Sequence, residues 1–199
     1  MPEIVSDIIV SPATVWYAPV GEEVPADDTP AGDDWGGNWV PVGYTKTPLS
    51  MSYEFDELDV EIEQSLAPVK RVKTKENLTL ETVLAELYLD GVQLGTGGTV
   101  TDTAAGAEQV GKEELDLGGE AALDEKAWGF EGTYINEDGA EFPVRLFIWK
   151  ATAKLNGALE FGKADYTGTP LQIKALADLD QNIGERLFKM QKILEPATG

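Results

Sequence analysis

The segment from residue 50 to 63 constrains the fold of this chain more than any other. Polar or acidic side chains alternate with apolar ones through residues 50–56, and the alternation resumes through residues 59–63. A period of two places successive side chains on opposite faces of a β-strand. The segment therefore predicts strands with one apolar and one acidic face. The predicted acidic face consists of Glu54, Asp56, Asp59, Glu61 and Glu63.

The sign of the charge reverses directly after this segment. A turn is predicted at residues 64–68, and four of the chain's fifteen basic residues follow within six positions: Lys70, Arg71, Lys73 and Lys75. Either the acidic and basic strands pair as one long hairpin, or each faces the opposite sign on a neighbouring copy. Opposite charges facing each other across strands contribute about 0.2–1 kcal/mol per pair. We predict that the four basic residues lie at subunit contacts.

Short strands dominate the rest of the chain, which predicts a mainly β fold: a β-sandwich or barrel with one flanking α-helix and a long hairpin-like loop. The length fits a single domain over residues 1–199. The helix is predicted over residues 82–89, where apolar residues form one stripe before Asp90-Gly91. Residues 186–194 fit either a strand or a short helix. Strands are predicted within 4–18, 39–44, 77–81, 113–117, 127–135, 144–154 and 171–179, a hairpin turn at 136–139, and long loops at 19–38, 45–75 and 95–112.

Histidine and cysteine are both absent, which excludes several kinds of chemistry. Disulfides, thiolate nucleophiles and Ser–His or Cys–His catalytic pairs cannot be built. We predict no cofactor and no enzymatic activity, although a glycosidase-type hydrolase, which needs only two carboxylates, stays a minor alternative. No apolar run has the length of a membrane span, and the start of the chain does not resemble a signal peptide. We therefore expect that the protein is synthesised in the cytoplasm and does not associate with a membrane.

The formal net charge is −21, so the surface should repel nucleic acid rather than bind it. The carboxylates of residues 54–63 could in principle bind Ca²⁺ or Mg²⁺, but a solvated strand face is the commoner outcome. The chain also has five tryptophans. Such rings usually pack in cores and interfaces. An alternative function is a carbohydrate-binding or adhesive β-sandwich that uses an exposed Trp35 or Trp39.

Several segments resemble the major tail proteins of long-tailed bacteriophages. Residues 13–21, followed by Val24-Pro25, are similar to the start of these proteins, and residues 39–44 are similar to their next strand. Residues 61–89 resemble their long loop, strand and helix. The resemblance extends as a pattern over most of residues 13–180.

The resemblance implies a structural virion protein of the phage tail. Six copies would form a ring whose inner sheets make a continuous barrel, and stacked rings would form the tail tube. The loop at 45–75 would contact neighbouring subunits, and the acidic residues of 54–63 would face the lumen or a neighbour's basic strand. An acidic lumen would let DNA pass without sticking. A tape-measure protein and a tail terminator are the implied partners. The loops at 19–38 and 95–112 depart from the family and would decorate the exterior.

Overall fold

The structure is a computed structural model that describes residues 13–136, 139–161, 163 and 167–195. Within these ranges the chain forms ten strands and one helix. Residues 4–12 of the first predicted strand region lie outside the described residues. The elements are β1 Thr14–Pro19, β2 Val40–Pro41, β3 Ser50–Val60, β4 Lys70–Leu84, α1 Leu89–Thr96, β5 Thr99–Thr103, β6 Lys112–Asp116, β7 Glu125–Ile135, β8 Glu141–Leu155, β9 Thr169–Ala175 and β10 Phe188–Lys192.

Strand β8 joins two layers of one large antiparallel sheet. The strand order is β2-β1-β7-β8-β9-β4-β3. One side of β8 pairs with β7; on its other side, the first part (144–148) pairs with β10 and the last part (151–155) pairs with β9. The first layer therefore contains β2, β1, β7, β8 and β10, and the second contains β8, β9, β4 and β3. A separate hairpin is formed by β5 and β6.

The main core lies between these two layers, which confirms the predicted β-sandwich. The first layer contributes Val15, Trp128 and Ile148, and the second contributes Leu80 and Ile173, all of them almost fully buried. Along β4 the buried residues are every second one from Leu78 to Leu84, as expected for a strand with one face in a core.

The loop at residues 19–38 covers the outer face of the first layer. Its Trp35 and the following Trp39 pack against Trp16, Ala127 and Phe147 in a second apolar cluster. The rings of Trp16 and Trp35 are stacked, with centroids 5.2 Å apart. The first layer is therefore buried on both faces, and the loop is an integral cover of the domain.

The prediction of a helix over residues 82–89 is wrong. Strand β4 continues to Leu84 because its pairing with β9 continues through Thr82, Val83 and Leu84. The helix is α1, which begins at Leu89 and contains Gly91, the residue that the sequence predicts as its end. A Cβ on Gly95 would lie 2.7 Å from Leu171 Cδ2, so the helix packs closely on β8 and β9 because it carries glycine there.

Two further segments differ in detail from the sequence expectations. The predicted loop at 95–112 contains β5 and the start of β6, which pair from Thr99 opposite Asp116 to Thr103 opposite Lys112. The ambiguous segment at 186–194 contains a strand, β10, and no helix. Ile135 and Glu141 face each other on either side of the predicted hairpin turn at 136–139, of which residues 137 and 138 lie outside the described residues.

Candidate functional site

A two-stranded arm projects from the body and contains the whole charged segment. We define the arm as β3 with the first part of β4, residues 50–60 and 70–77, and the turn between them. All eleven residues of β3 are exposed, and so are the first eight of β4. The next strand, β9, pairs with β4 only from Thr79 onwards. At the root of the arm the Tyr53 ring lies 6.4 Å from the Phe188 ring of β10. A two-stranded ribbon with so little cover is marginally stable in water, so the arm is expected to need a partner.

The strand register sorts the arm's side chains onto two faces. Residues directly opposite each other in an antiparallel pair share a face. Tyr53 lies opposite Leu78, so it lies on the core side of the sheet, whereas Glu54 lies opposite Asn77 on the outer side. The register shifts between Asp56 and Glu57, and the extra residue in β4 is Thr74. Beyond this bulge the pairing continues to Val60 opposite Lys70.

The acidic and basic strands pair with each other, so the first of the two arrangements left open by the sequence is present in the structure. Arg71 Nε donates a 2.7 Å hydrogen bond to Asp59 Oδ1. The hydrogen bond and the charge of Asp59 raise the pKa of Arg71. Lys75 lies opposite Asp56. The Arg71–Asp59 pair is exposed to solvent, where such a pair contributes little to folding.

A network of one lysine, two aromatic rings and one carboxylate lies at the middle of the arm. Lys73 Nζ donates to Tyr53 Oη at 2.9 Å and to Glu76 Oε1 at 3.1 Å, and Tyr53 Oη donates to Glu76 Oε1 at 2.8 Å. The same ammonium lies 4.6 Å from the centroid of the Phe55 ring. The bonds from Tyr53 and then Lys73 lower the pKa of Glu76. The bonds to Tyr53 and then Glu76 raise the pKa of Lys73.

The predicted acidic set does not stay on one face. Glu54 and Asp56 lie on the outer side of the arm, whereas Asp59 lies on the opposite side with Arg71. Glu61 and Glu63 follow the end of β3, in the exposed turn. The single acidic face expected from the alternation therefore divides into two small groups and a turn. In the parts of the chain that the structure describes, no group of three or more acidic side chains could hold a metal ion.

The outer face of the second layer is polar and carries both charge signs. Thr79 lies opposite Lys174, and Glu81 lies opposite Gln172. Gln172 and Asn156 both donate to the Glu81 carboxylate. Outside this layer and its arm, the acids are concentrated in the loop 19–38 and in the region of β5 and β6. The exposed acids of that loop are Glu23, Asp27, Asp28, Asp33 and Asp34.

A buried ion pair was not predicted from the sequence. Arg145 Nε lies 2.7 Å from Glu131 Oε2, and both side chains are almost completely buried. Arg145 also donates to the carbonyls of Ala26 and Thr29, and Glu131 accepts from Gly32 N, so the pair fastens the loop 19–38 to the sheet. The β7–β8 pairing places Ile135 opposite Glu141 and, four residues further back, Glu131 opposite Arg145. A four-residue turn at 136–139 would instead place Glu131 opposite Val144, so the turn pattern alone does not identify the pair.

The tryptophans proposed for carbohydrate binding are buried. Trp35 and Trp39 are each 6% exposed, and their rings contact each other and Phe147. Trp39 Nε1 donates to the carbonyl of Glu23. Neither ring offers a flat exposed surface to a sugar, so the alternative of a carbohydrate-binding site at these residues is wrong.

Comparison with known families decides the class of this protein. The profile of one family, described as phage tail tube protein, matches residues 6–190. This chain belongs to that family. No curated protein matches the chain. The resemblance noted from residues 13–180 is therefore confirmed, and the tail tube protein is a structural component of the virion tail.

Family membership gives the exposed arm a context. A tail tube is built from many copies, so every copy of a tail tube protein has neighbours. Within the described ranges, no helix has the length and apolar character needed to cross a membrane.

Proposed function

We propose that six copies of this tail tube protein form a ring, that rings stack into the tail tube, and that DNA leaves the virion through its lumen. The observation that carries the proposal is the arm, which is exposed on both faces and retains apolar residues on each. Met51, Tyr53 and Phe55 lie on one face, and Leu58 and Val60 on the other. Exposed apolar surface of this kind marks an interface.

The free edge of β3 supports ring formation. Strand β3 ends the sheet order, and its eleven residues are exposed. An unpaired edge of this length is a template for a strand from another chain. A contact between unlike surfaces, repeated around an axis, closes into a ring. The inner layers of six copies would then form one continuous barrel.

We infer that the polar outer face of the second layer lines the lumen. Glu54 and Asp56 would face the DNA, whereas Asp59 would not. Lys154 and Lys174 also belong to this layer, so its charge is mixed rather than strongly acidic. DNA would pass because the described residues of this face form no dense basic surface that would bind its phosphates. A tape-measure protein inside the tube and a tail terminator at its end are the proposed partners.

Single cysteines in the assembled tube would test this choice of face, since the chain has none of its own. Ser52→Cys lies on the proposed lumen face, and Glu108→Cys lies in the exposed segment between β5 and β6. A small maleimide should label both variants, whereas a bulky polymer-linked maleimide should label Ser52→Cys at least about tenfold more slowly in tubes than in dissociated protein. Equal labelling of both variants by the bulky reagent would contradict the assignment.

Electron microscopy of purified protein tests assembly itself. Wild-type protein should form rings or tubes at high concentration. The double variant Lys70→Glu with Lys75→Glu should assemble poorly while its urea midpoint stays unchanged, because both residues are exposed on the arm. The matched control is the double variant Lys112→Glu with Lys189→Glu. It makes the same change in net charge at two exposed residues outside the arm. The absence of wild-type tubes at any salt concentration would contradict the proposed function, and equal impairment by both double variants would remove the special role of the arm's basic residues.

A further inference from the structure

The main core is open at one end of the sandwich, where the two layers separate. The opening is an apolar groove with a volume of about 670 Å³, which lies between β10 and the residues that lead into β3. Met190, on the side of the first layer, is 57% exposed, and Met51, on the side of the second, is 42% exposed. The size is within the range of about 300–1,000 Å³ that is usual for protein binding sites. The groove is therefore large enough to hold several side chains.

The floor of the groove is the core face of the first layer. Phe130 and Leu146 lie opposite each other in β7 and β8, and Met190 of β10 lies opposite Leu146. Ala13, directly before the first residue of β1, lines the same groove. Residues directly opposite each other in an antiparallel pair share a face. The floor therefore extends across neighbouring strands from the start of β1 to β10.

An apolar segment of the chain is attached at one edge of this floor. Ala13 is the first residue that the structure describes, and it lines the groove. The segment that precedes it is rich in β-branched apolar residues, which favour extended chain and pack well on a half-buried surface. Five of the seven residues at 4–10 are of this type: Ile4, Val5, Ile8, Ile9 and Val10. The residues that could cover the open core are therefore joined directly to it.

We propose that residues 8–12 cross this floor and place Val10 and Ile8 in the groove of their own copy. Alternate side chains of an extended segment share a side, so Val10 and Ile8 point together towards the floor. Ile9 and Asp7 then point towards solvent, and the charge of Asp7 stays in water. The contact lies within one copy, so it holds whether or not copies assemble and does not rest on the proposed function.

The reach of the segment matches the width of the floor. From β1 through β7 and β8 to β10 there are three strand spacings of about 4.8 Å, so the floor is about 14 Å wide. Extended chain from Ala13 to Ile8 covers five residue steps, or about 17 Å. Val10 is therefore placed over the middle of the floor, and Ile8 beside Met190.

The segment has local reasons to leave the sheet edge for the groove. If the register of β1 and β7 continued beyond Thr14, Pro12 would lie opposite Thr133. Proline has no backbone N–H, so it cannot donate a hydrogen bond to this ladder. The segment is also tethered beside the groove of its own copy, and its effective concentration there favours that groove over the groove of another copy.

Disulfide trapping in dilute, monomeric protein tests the contact, because the chain contains no cysteine. The double variant Ile8→Cys with Met190→Cys, oxidised with diamide, should lose both reactive thiols while its mass stays that of a monomer. The matched control is Ile8→Cys with Val110→Cys, where Val110 is exposed between β5 and β6. The control should lose its thiols at least about tenfold more slowly, because a disulfide needs two Cα atoms within about 7 Å of each other.

Three outcomes would overturn the proposal. Thiols that stay reactive in both variants are expected if the segment follows the edge of β7 or remains in solvent. Crosslinks between chains that form only in assembled protein would assign the groove to the segment of a neighbouring copy. Equally fast closure in the control would show that the segment moves over the whole surface and is not held in the groove.

Two neighbouring isoleucines provide a second measurement that does not depend on cysteines. Ile8→Asp should lower the urea midpoint of the isolated protein by roughly 0.5–1 M, because a charged side chain would release the segment from the apolar groove. Ile9→Asp makes the same change on the side that faces solvent, and its midpoint should stay within about 0.2 M of the wild-type value. Equal midpoints for the two variants would contradict the proposed placement.

Discussion

Two arginine–carboxylate pairs in this chain have the same geometry in opposite surroundings. Arg145 Nε lies 2.7 Å from Glu131 Oε2, and the two side chains are 0% and 2% exposed. Arg71 Nε also lies 2.7 Å from its carboxylate partner, Asp59, but these side chains are 63% and 39% exposed. The distance between the charged atoms therefore says little about the role of either pair.

The difference lies in what each pair holds together. The buried pair joins β7 to β8 and, through backbone groups of Ala26 and Thr29, fastens the loop 19–38 over the tryptophan cluster. Removing one partner would leave a charge without compensation in a dry environment. The exposed pair joins only the two strands of the arm, and water can replace either partner. One pair is part of the folded body, and the other shapes a surface.

The largest expected effect comes from breaking the buried pair. Glu131→Ala should lower the free energy of unfolding by about 3–5 kcal/mol, because the Arg145 charge stays buried without its partner. Urea unfolding followed by near-ultraviolet circular dichroism would measure it, since the tryptophan cluster depends on the same loop.

The matched control for this prediction is Asp59→Ala in the arm. It removes the carboxylate of a pair with the same N–O distance, and its urea midpoint should stay at the wild-type value because the pair is exposed. Equal destabilisation by the two substitutions would show that burial does not separate the two pairs.

The sequence predicted those elements of the arm and of the body whose signals are local. The alternation of residues 50–60 identified β3, and the turn at 136–139 identified the β7–β8 hairpin, because both signals are local. The failure at residues 82–89 also has a local explanation. Leu84 fits a helical stripe and equally a strand in which every second residue is buried, and only the pairing of β4 with β9 decides between them.

Properties that depend on distant packing were beyond the sequence. The sequence predicts Gly91 as the end of a helix and Gly95 as part of a loop, whereas in the structure Gly95 allows α1 to lie against Leu155 and Leu171. The burial of Trp35 depends on a loop whose position is fixed by Glu131, almost a hundred residues away.

The smallest expected effect concerns one oxygen atom of the arm. Tyr53→Phe removes the hydroxyl that accepts from Lys73 and donates to Glu76, and it keeps the ring. Folding should be unaffected, since the network is exposed. The pKa of Glu76 should rise towards the ordinary glutamate value, because the bond from Tyr53 is the largest cause that lowers it. A carboxyl with a lowered pKa stabilises the folded arm at pH values above the ordinary pKa of glutamate. This contribution is lost as the pH falls through the lowered pKa.

A titration of the Glu76 carboxyl carbon by nuclear magnetic resonance would measure this shift. The matched control is Phe55→Leu, which removes the ring beneath Lys73 and leaves the hydrogen bonds of Tyr53 in place. The control should keep the pKa of Glu76 low. If Tyr53→Phe leaves that pKa unchanged, the hydroxyl does not organise the arm, and the order of the exposed network must come from strand pairing alone. If it instead lowers the urea midpoint as Glu131→Ala does, the arm belongs to the folded body and the contrast between the two regions does not hold.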